Sequence, residues 1–242
     1  MYKSRQVCAV IPARDEAEAI GRVLSALNAA GTVDRAIVCD NGSRDATAAI
    51  ARGLGAETVD ESRVGYGAAC LRALSQIGYC DIVVFVDADD SLQLDEMPAL
   101  LDAIVDGADL AIGIRVRQWR EQGSMTLAQH IGNRIAGGLI RLIWRQPVSD
   151  LGPFRAIRFD RLGQLHLRDR RFGWNVEMQI RAIQQGLNWV EVPVHSRRRI
   201  GRSKISGTPG GVARAGFDMI STILRLALNN RSSGRQNHLT DQ

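Results

Sequence analysis

Two aspartates that directly follow an apolar stretch are the side chains of this sequence best suited to bind a metal ion. Asp87 and Asp89 come after residues 82–86, which are all apolar and are typical of a buried strand. Residues i and i+2 of an extended segment point to the same side, so the two carboxylates can converge. Converging carboxylates repel each other unless a cation lies between them, and their oxygens suit Mg²⁺ or Mn²⁺. The pair therefore predicts a divalent metal site, with a capped turn as the alternative.

Residues that favour turns or helix caps follow two more predicted strands. Pro12–Glu16 come after the apolar run 6–11, and Asp40–Ser43 come after the strand predicted at 36–39. In parallel sheets ligands bind beyond the carboxyl ends of the strands, which share one edge. Each segment alone is equally typical of an ordinary turn or cap. Together with the aspartate pair, they predict a ligand site at that edge.

The elements that would position these residues alternate regularly in the first half of the chain. Hydrophobic patterns predict strands at 6–11, 36–39, 58–59, 81–86 and 109–114, and helices at 15–30, 45–54, 68–77 and 94–105. Asp15 is the predicted cap of the first helix, with Glu18 reaching back to it. This alternation predicts an α/β fold with a doubly wound, mostly parallel sheet.

The second half is less regular. Its patterns predict helices at 127–144, 174–185 and 212–228, strands at 154–158 and 189–195, and an arginine-rich loop at 197–204. We predict a single domain over residues 1–230, with halves at 1–113 and 114–230, and a disordered tail at 231–242.

Charge differs sharply between the two halves. Residues 1–113 carry 9 basic and 18 acidic side chains, whereas residues 114–242 carry 22 basic and 8 acidic ones. A basic half suggests an anionic partner such as a phosphate, an anionic lipid or a nucleic acid. The acidic half favours a metal ion and a phosphorylated substrate, and an aromatic content of 5% is low for base stacking. We expect no nucleic-acid partner, and a basic non-enzymatic binding module stays an alternative.

Several other enzyme classes lack their motifs in this sequence. There is no P-loop motif and no nucleophile elbow of a serine hydrolase, and the four histidines have no metal-ligand spacing. The glycines of Gly65-Tyr66-Gly67 are followed by Cys70 where a dinucleotide fingerprint needs a third glycine. The four cysteines form no CxxC pair, which predicts reduced, buried thiols.

The hydrophobic segments are too short for a membrane span. No apolar run reaches the roughly 18 residues that a bilayer requires, and the first residues lack the apolar core of a signal peptide, so we expect a cytoplasmic protein. The amphipathic segments 135–144 and 212–228 carry arginines and could lie on an anionic membrane surface. Core packing or a homo-oligomer interface explains the same pattern equally well.

The order and spacing of the motifs resemble those of family 2 glycosyltransferases with the GT-A fold. The similar segments are Val10–Glu16, Val38–Thr47 and Val86–Asp89. Within that family the chain is most similar to dolichyl- or polyprenyl-phosphate sugar synthases, which Gly65–Gly67, Gly113–Arg115 and Gly201–Lys204 match in order. The resemblance implies a metal-dependent, inverting transfer of a sugar from a nucleotide-diphosphate sugar to a polyprenyl or dolichyl phosphate.

The resemblance also implies a role for individual residues. It implies a nucleotide-sugar-binding half at 1–113 and a basic acceptor-binding half at 114–230. The implied donor-binding residues are Pro12, Ala13, Arg14, Glu16, Asp40, Gly67, Asp87, Ala88 and Asp89. Asp87 and Asp89 would hold the metal, and Asp89 would be catalytic. The implied acceptor- or phosphate-binding residues are Arg115, Arg134, Arg202, Ser203 and Lys204.

The chemical class of the acceptor decides whether a general base is needed. A phosphate monoester is already anionic at neutral pH and needs a cationic cradle, for which arginine is well suited. A hydroxyl acceptor, on a soluble metabolite or glycan, would need a base. Glu177 is the catalytic candidate for that role, with an exposed helix carboxylate as the other interpretation. Ser91 stands where related enzymes often have Gln, which leaves the third protein ligand of the metal open.

Overall fold

One mixed sheet organises the fold. The computed structural model describes residues 1–201 and 208–236, and within them seven strands form the sheet in the order β3-β2-β1-β4-β6-β5-β7. The strands are β1 (Val7–Ala13), β2 (Arg35–Asp40), β3 (Glu57–Asp60), β4 (Ile82–Phe85), β5 (Leu110–Arg120), β6 (Arg155–Arg158) and β7 (Trp189–Ser196). Strand β6 is antiparallel to β4 and β5, and all other neighbours are parallel. The predicted mostly parallel, doubly wound sheet is confirmed.

The described residues form eight α-helices, most of which pack against the sheet. They are α1 (Ile20–Ala30), α2 (Thr47–Gly53), α3 (Tyr66–Leu74), α4 (Met97–Val105), α5 (Leu127–Trp144), α6 (Phe159–Gln164), α7 (Trp174–Gln184) and α8 (Pro209–Gln236). Helix α6 was not predicted. Helix α8 continues through residues 231–236 of the predicted tail, and residues 237–242 lie outside the described residues.

The predicted helix start at Asp15 is wrong. Asp15 has a left-handed backbone, with φ 50°, and α1 begins only at Ile20, where no side chain caps it. The Asp15 carboxylate instead accepts the backbone N–H of Arg44 at 2.7 Å, and its own N–H donates to Ser43 Oγ at 2.9 Å. Asp15 therefore joins the loops after β1 and β2, which are close only in the folded sheet.

Both faces of the sheet are buried, because helices cover each of them. Along β1, Val7, Ala9 and Ile11 face one apolar layer, whereas Cys8 and Val10 face the other. The four cysteines are free and buried, as predicted. Strands covered on both faces are near-continuously hydrophobic, which explains why their ends were recognisable in the sequence.

A separate apolar cluster holds the second half together. Ala136 and Ile140 of α5 pack with Val176 and Ile180 of α7 and with Ile223 of α8. The outer sides of two of these helices expose large apolar residues, namely Leu127, Ile131, Ile135 and Leu142 on α5 and Phe217, Leu224 and Leu228 on α8. Among the described residues, none of the helices combines the length and apolarity needed to cross a bilayer.

Candidate active site

The carboxyl ends of β1, β2 and β4 meet at one edge of the sheet, as predicted. Ala13 pairs with Asp40 at the ends of β1 and β2, and the N–H of Asn41 donates to the carbonyl of Ala13 at 2.8 Å. On the other side of β1, the N–H of Val86 donates to the carbonyl of Val10 at 3.0 Å. The loop that carries the aspartate pair therefore lies beside the loop after β1.

A cavity of about 170 Å³ opens at this edge, and we call it the β1-side cavity. Seven residues that the resemblance implied for donor binding line it: Pro12, Ala13, Arg14, Glu16, Asp87, Ala88 and Asp89. Tyr66, Phe172 and Arg199 also line it. The structure thus brings together most of the residues that the motifs of the first half suggested.

A second cavity, of about 440 Å³, lies towards β5, and we call it the β5-side cavity. Arg115 of β5, Asn133 of α5, Val176 of α7 and Met219 of α8 are among its walls. Five residues line both cavities: Tyr66, Asp87, Asp89, Phe172 and Arg199. The two cavities therefore meet at the carboxylate pair.

The electrostatics of the pair favour a bound cation. Burial, reinforced by the neighbouring charge of Asp89, raises the pKa of Asp87 to about 7. The Tyr66 hydroxyl donates to Asp87 Oδ1 at 3.1 Å, and the N–H of Ser91 donates to Asp89 Oδ1 at 3.1 Å. A hard divalent ion would relieve the repulsion between the carboxylates, so this oxygen donor set fits Mg²⁺ or Mn²⁺. No third acidic, histidine or cysteine residue completes a metal cluster in the described ranges.

Arg199 forms ion pairs at the junction of the two cavities. Its Nη2 lies 2.8 Å from Glu16 Oε1, and its Nη1 lies 3.2 Å from Asp89 Oδ2. The sequence placed Arg199 in an arginine-rich loop but did not single it out, because its neighbours Arg197 and Arg198 have the same charge. Arg199 differs from its neighbours because the fold brings its side chain to the carboxylates at the end of β4.

Asn41 and Phe172 were also missed. The buried Asn41 donates from Nδ2 to the carbonyls of Glu61 at 2.9 Å and Arg63 at 2.8 Å, and its Oδ1 accepts the N–H of Gly65 at 2.7 Å. Asn41 therefore fixes the loop before α3. Its position inside the Asp40–Ser43 motif was the available signal, whereas no motif marked Phe172.

Gly67 supports the site instead of lining it. Its N–H donates to the carbonyl of Arg171 at 3.1 Å, and a Cβ on Gly67 would lie 2.1 Å from the carbonyl oxygen of Asp169. A side chain here would push away the segment that carries Phe172. Gly67 thus has a packing role in the structure, and its implied donor contact stays a prediction.

Arg115 lines the β5-side cavity, but its charge is already paired. Its Nε and Nη2 each donate to the Asp150 carboxylate at 2.7 Å, and Asn133 Nδ2 donates to the same carboxylate at 2.6 Å. Although burial opposes ionisation, Arg115 holds the pKa of Asp150 below its ordinary value. Arg115 is thus a fixed part of the wall, with less capacity for a phosphate than the sequence suggested.

Glu177 is not placed as a base towards either cavity. Its side chain is 1% exposed, and Oε2 accepts the backbone N–H groups of Arg168 at 2.8 Å and Asp169 at 2.5 Å. Arg225 Nη2 lies 3.8 Å from Oε1. Glu177 therefore holds the 168–169 loop. The interpretation as an exposed carboxylate is wrong, whereas the role of a catalytic base stays a prediction.

The remaining predicted residues lie away from the carboxylate pair or outside the description. Asp40 accepts the N–H of Ser43 at 3.0 Å and does not line the β1-side cavity. Arg134 is exposed and lines a separate cavity of about 630 Å³ between α5 and residues 147–149. Arg202, Ser203 and Lys204 lie outside the described residues.

Comparison with known proteins identifies glycosyltransferases as the relatives of this chain. A family model described as "Glycosyl transferase family 2" matches residues 8–166. An uncharacterised glycosyltransferase of Mycobacterium tuberculosis is 34% identical over 220 residues, covering 90% of this chain and 97% of that protein. A dolichyl-phosphate hexose transferase of Haloferax volcanii is 30% identical over 213 residues, covering 88% of this chain and 92% of that protein.

A solved structure shares the fold at low sequence identity. Glucosyl-3-phosphoglycerate synthase of Mycobacterium tuberculosis, in complex with Mn²⁺, UDP and glucosyl-3-phosphoglycerate, matches with a TM-score of 0.74 at 22% identity. The match covers 93% of this chain and 81% of that one. The similarity therefore extends beyond residues 8–166 into the second half of the fold.

Proposed function

The chain belongs to glycosyl transferase family 2 and has its GT-A-like fold, and from this premise we propose that it transfers a sugar from a nucleotide-diphosphate sugar to a polyprenyl or dolichyl phosphate. The observation that carries the proposal is the meeting of two cavities at Asp87 and Asp89. One cavity would take the donor and the other the acceptor. Because the chain is a glycosyltransferase, it is an enzyme, and the alternative of a basic non-enzymatic binding module is excluded.

The β1-side cavity would hold the nucleotide-diphosphate part of the donor. Pro12 and Ala13 offer apolar surface, and Arg14 offers a guanidinium whose buried Nε has no hydrogen-bond partner among the described residues. Arg199 Nε is also buried and has no hydrogen-bond partner among the described residues. Buried donors without partners are costly, so a ligand with anionic or carbonyl oxygens is the natural partner for both.

Asp87 and Asp89 would hold Mg²⁺ or Mn²⁺ at the junction of the cavities. When bound, such an ion stabilises the negative charge that develops on the leaving diphosphate. The two side chains are half-buried at the end of β4, where the sheet fixes their positions. Tyr66 orients Asp87 by its hydrogen bond, and the N–H of Ser91 orients Asp89.

The β5-side cavity would bring the acceptor phosphate to the donor. A phosphate oxygen attacks the anomeric carbon, the bond from that carbon to the diphosphate oxygen breaks, and the nucleoside diphosphate leaves with the bonding electrons. A dianionic phosphate gives up no proton in this step, and direct displacement inverts the anomeric centre. The burial of Glu177 agrees with a reaction that needs no strong base.

Repulsion between the two anionic substrates has to be offset by the chain. Two unit charges 4 Å apart repel by about 4 kcal/mol at an effective dielectric constant of about 20. Arg198 lines the β5-side cavity and can supply opposite charge, whereas Arg115 is paired with Asp150 and Arg199 with Glu16 and Asp89. Apolar residues of the helices, such as Val176 and Met219, form the wall that would face the lipid part of the acceptor.

We expect helices α5 and α8 to lie against an anionic membrane surface, where such an acceptor resides. Both helices wall the β5-side cavity and expose apolar residues beside arginines, for example Ile131 and Ile135 beside Arg134 on α5. Cosedimentation with phosphatidylglycerol vesicles, but not with phosphatidylcholine vesicles, is the expected result. If Ile131→Ser/Ile135→Ser instead changes the oligomeric state, the surface is a homo-oligomer interface. The cytoplasmic location stays a prediction.

A soluble acceptor is the second candidate, since the cavity also has a polar side. Ser124, Thr126 and Gln129 line it, and the structural neighbour was solved with a phosphorylated product. Incubation with labelled nucleotide sugars and either undecaprenyl phosphate or phosphorylated metabolites, followed by organic extraction, separates the two. Metal-dependent label in the organic phase supports the lipid phosphate. Label that enters only water-soluble products overturns it.

A further inference from the structure

Arg199 connects carboxylates from two different strand ends. It contacts Glu16, after β1, at 2.8 Å and Asp89, after β4, at 3.2 Å. The side chains of Glu16 and Asp89 are 12% and 13% exposed, and that of Arg199 is 26% exposed. Ion pairs shielded from water interact more strongly than solvated surface pairs. Arg199 is therefore a built-in positive charge at the candidate metal site.

The backbone holds Arg199 in this position. The N–H of Arg197 donates to the carbonyl of Ser91 at 2.9 Å, and the N–H of Ile200 donates to the carbonyl of Asp89 at 2.9 Å. The segment that carries Arg199 is thus bonded on both sides of this residue to the loop of the aspartate pair. Because these bonds hold the backbone, release of Asp89 would come from rotation of the Arg199 side chain.

A divalent cation and Arg199 would compete for the same oxygen of Asp89. Asp89 Oδ1 accepts the N–H of Ser91, so coordination of a metal ion would use Oδ2, which Arg199 Nη1 already contacts. Two cations on one carboxylate repel each other. Glu16 binds the other end of the guanidinium at Nη2, so Arg199 stays near the junction after it leaves Asp89. Since Arg199 also lines the β1-side cavity, a donor diphosphate there would attract it.

We propose that Arg199 is the resident counter-ion of Asp89, which a divalent metal ion must displace, and that a donor diphosphate draws Arg199 away so that metal and nucleotide bind cooperatively. The inference rests on the proposed function for the identity of both ligands. Coupling between two ligands is reciprocal, so the metal should tighten nucleotide binding by the same factor.

Mn²⁺ binding to the whole chain, measured by the electron paramagnetic resonance of free Mn²⁺ with and without UDP, tests the inference. For the wild type we expect Mn²⁺ to bind about tenfold more tightly with UDP than without it. R199Q should bind Mn²⁺ about tenfold more tightly than the wild type in the absence of UDP. The factor by which UDP tightens Mn²⁺ binding should fall towards one in this variant. R199K keeps the charge and should retain most of the coupling.

R197Q is the matched control. It removes the same charge two residues away, where Arg197 Nε donates to Gln93 Oε1 at 2.8 Å, and its Mn²⁺ affinity should equal that of the wild type. If R199Q binds Mn²⁺ no more tightly than the wild type, or if R197Q shows the same gain, the counter-ion inference is wrong while the proposed function stands. If no variant binds Mn²⁺ with or without UDP, the metal part of the proposed function fails as well.

Discussion

The two halves of the chain build their parts of the site in different ways. In the first half, the last two residues of β1 and the short segments after β1 and β4 supply all seven of the motif residues in the β1-side cavity. In the second half, the walls of the β5-side cavity come from β5, α5, α7, α8 and the segment after β7. A site made from strand ends can be recognised in sequence, whereas a site assembled from distant helices cannot.

The charges of the two halves also differ in how far they are compensated within the fold. Burial and the charge of Asp89 raise the pKa of Asp87, whose hydrogen-bond partner Tyr66 is neutral. The best-placed arginines of the second half are already paired, Arg115 with Asp150 and Arg199 with Glu16 and Asp89. The excess of 22 basic over 8 acidic residues therefore says little about which arginines can meet a substrate.

The dependence of the first half on one carboxylate pair is tested by Asp89→Asn. We expect transfer to fall by about 10³-fold, because the variant loses a metal ligand and the electrostatic stabilisation of the leaving diphosphate. Initial rates at saturating Mg²⁺ measure the effect, and circular dichroism should show an intact fold. Asp90→Asn is the control, since Asp90 has φ 59°, a conformation that Asn tolerates, and lines neither cavity. Equal rates for both variants would contradict the site.

Asp150→Asn and Glu57→Gln test how much an ion pair of each half contributes to stability. Asp150 is 3% exposed, and Asp150→Asn leaves a shielded Arg115 without an anionic partner, which should cost about 3–5 kcal/mol in the free energy of unfolding. Glu57→Gln should lower the free energy of unfolding by only about 0.2–1 kcal/mol, because Glu57 is 47% exposed beside Arg35. Urea unfolding of both variants measures the difference. Similar losses would mean that the pair with Arg115 is not a buried support of the wall.

The same pair should have a pH signature. The pKa of Asp150 is lower in the folded protein than its ordinary value of about 4, so its contribution to stability is complete above that value. The contribution is lost as the pH falls through the folded pKa. We therefore expect the difference in free energy of unfolding between wild type and Asp150→Asn to shrink as the pH falls from about 5 to about 3. A constant difference over this range would argue against an ionised Asp150.

The orientation of the metal ligands is tested by Tyr66→Phe. Loss of the hydrogen bond to Asp87 should weaken Mn²⁺ binding and slow transfer by about tenfold, since hydrogen bonds to charged groups contribute about 1.5–3 kcal/mol. Tyr79→Phe is a matched control, because Tyr79 donates to Asp81 Oδ1 at 3.3 Å at the opposite end of β4. The prediction fails if the two tyrosine variants behave alike.

The smallest effect on activity is expected for Glu177→Gln. Its carboxylate holds two backbone N–H groups, so the variant should lose about 1–3 kcal/mol in the free energy of unfolding. The rate of transfer per folded enzyme should change by less than about threefold, whereas loss of a general base costs about 10²–10⁴-fold. Kinetics below the unfolding temperature separate these cases. A 10²-fold loss would return Glu177 to the list of catalytic candidates.

The sheet and the strand-end motifs could be predicted because local sequence determines them. Buried strands are continuously apolar, helices repeat every 3.6 residues, and the residues just after a parallel strand must lie at the ligand edge. These rules predict the positions of Asp87, Asp89 and the Pro12–Glu16 segment at this edge. They also predicted β7 and the long α5, although α6 was too short to stand out.

The partners of each charge could not be predicted, because they come from residues far apart in the chain. Arg199 and Glu16 are separated by 183 positions, and Arg115 and Asp150 by 35. Glu177 accepts hydrogen bonds from a loop that precedes its own helix. The sequence by itself therefore determined the elements and the edge at which chemistry occurs, through local periodicity and strand ends. Only the tertiary structure decided which of many similar arginines and carboxylates neutralise each other, because an ion pair depends on distance in space.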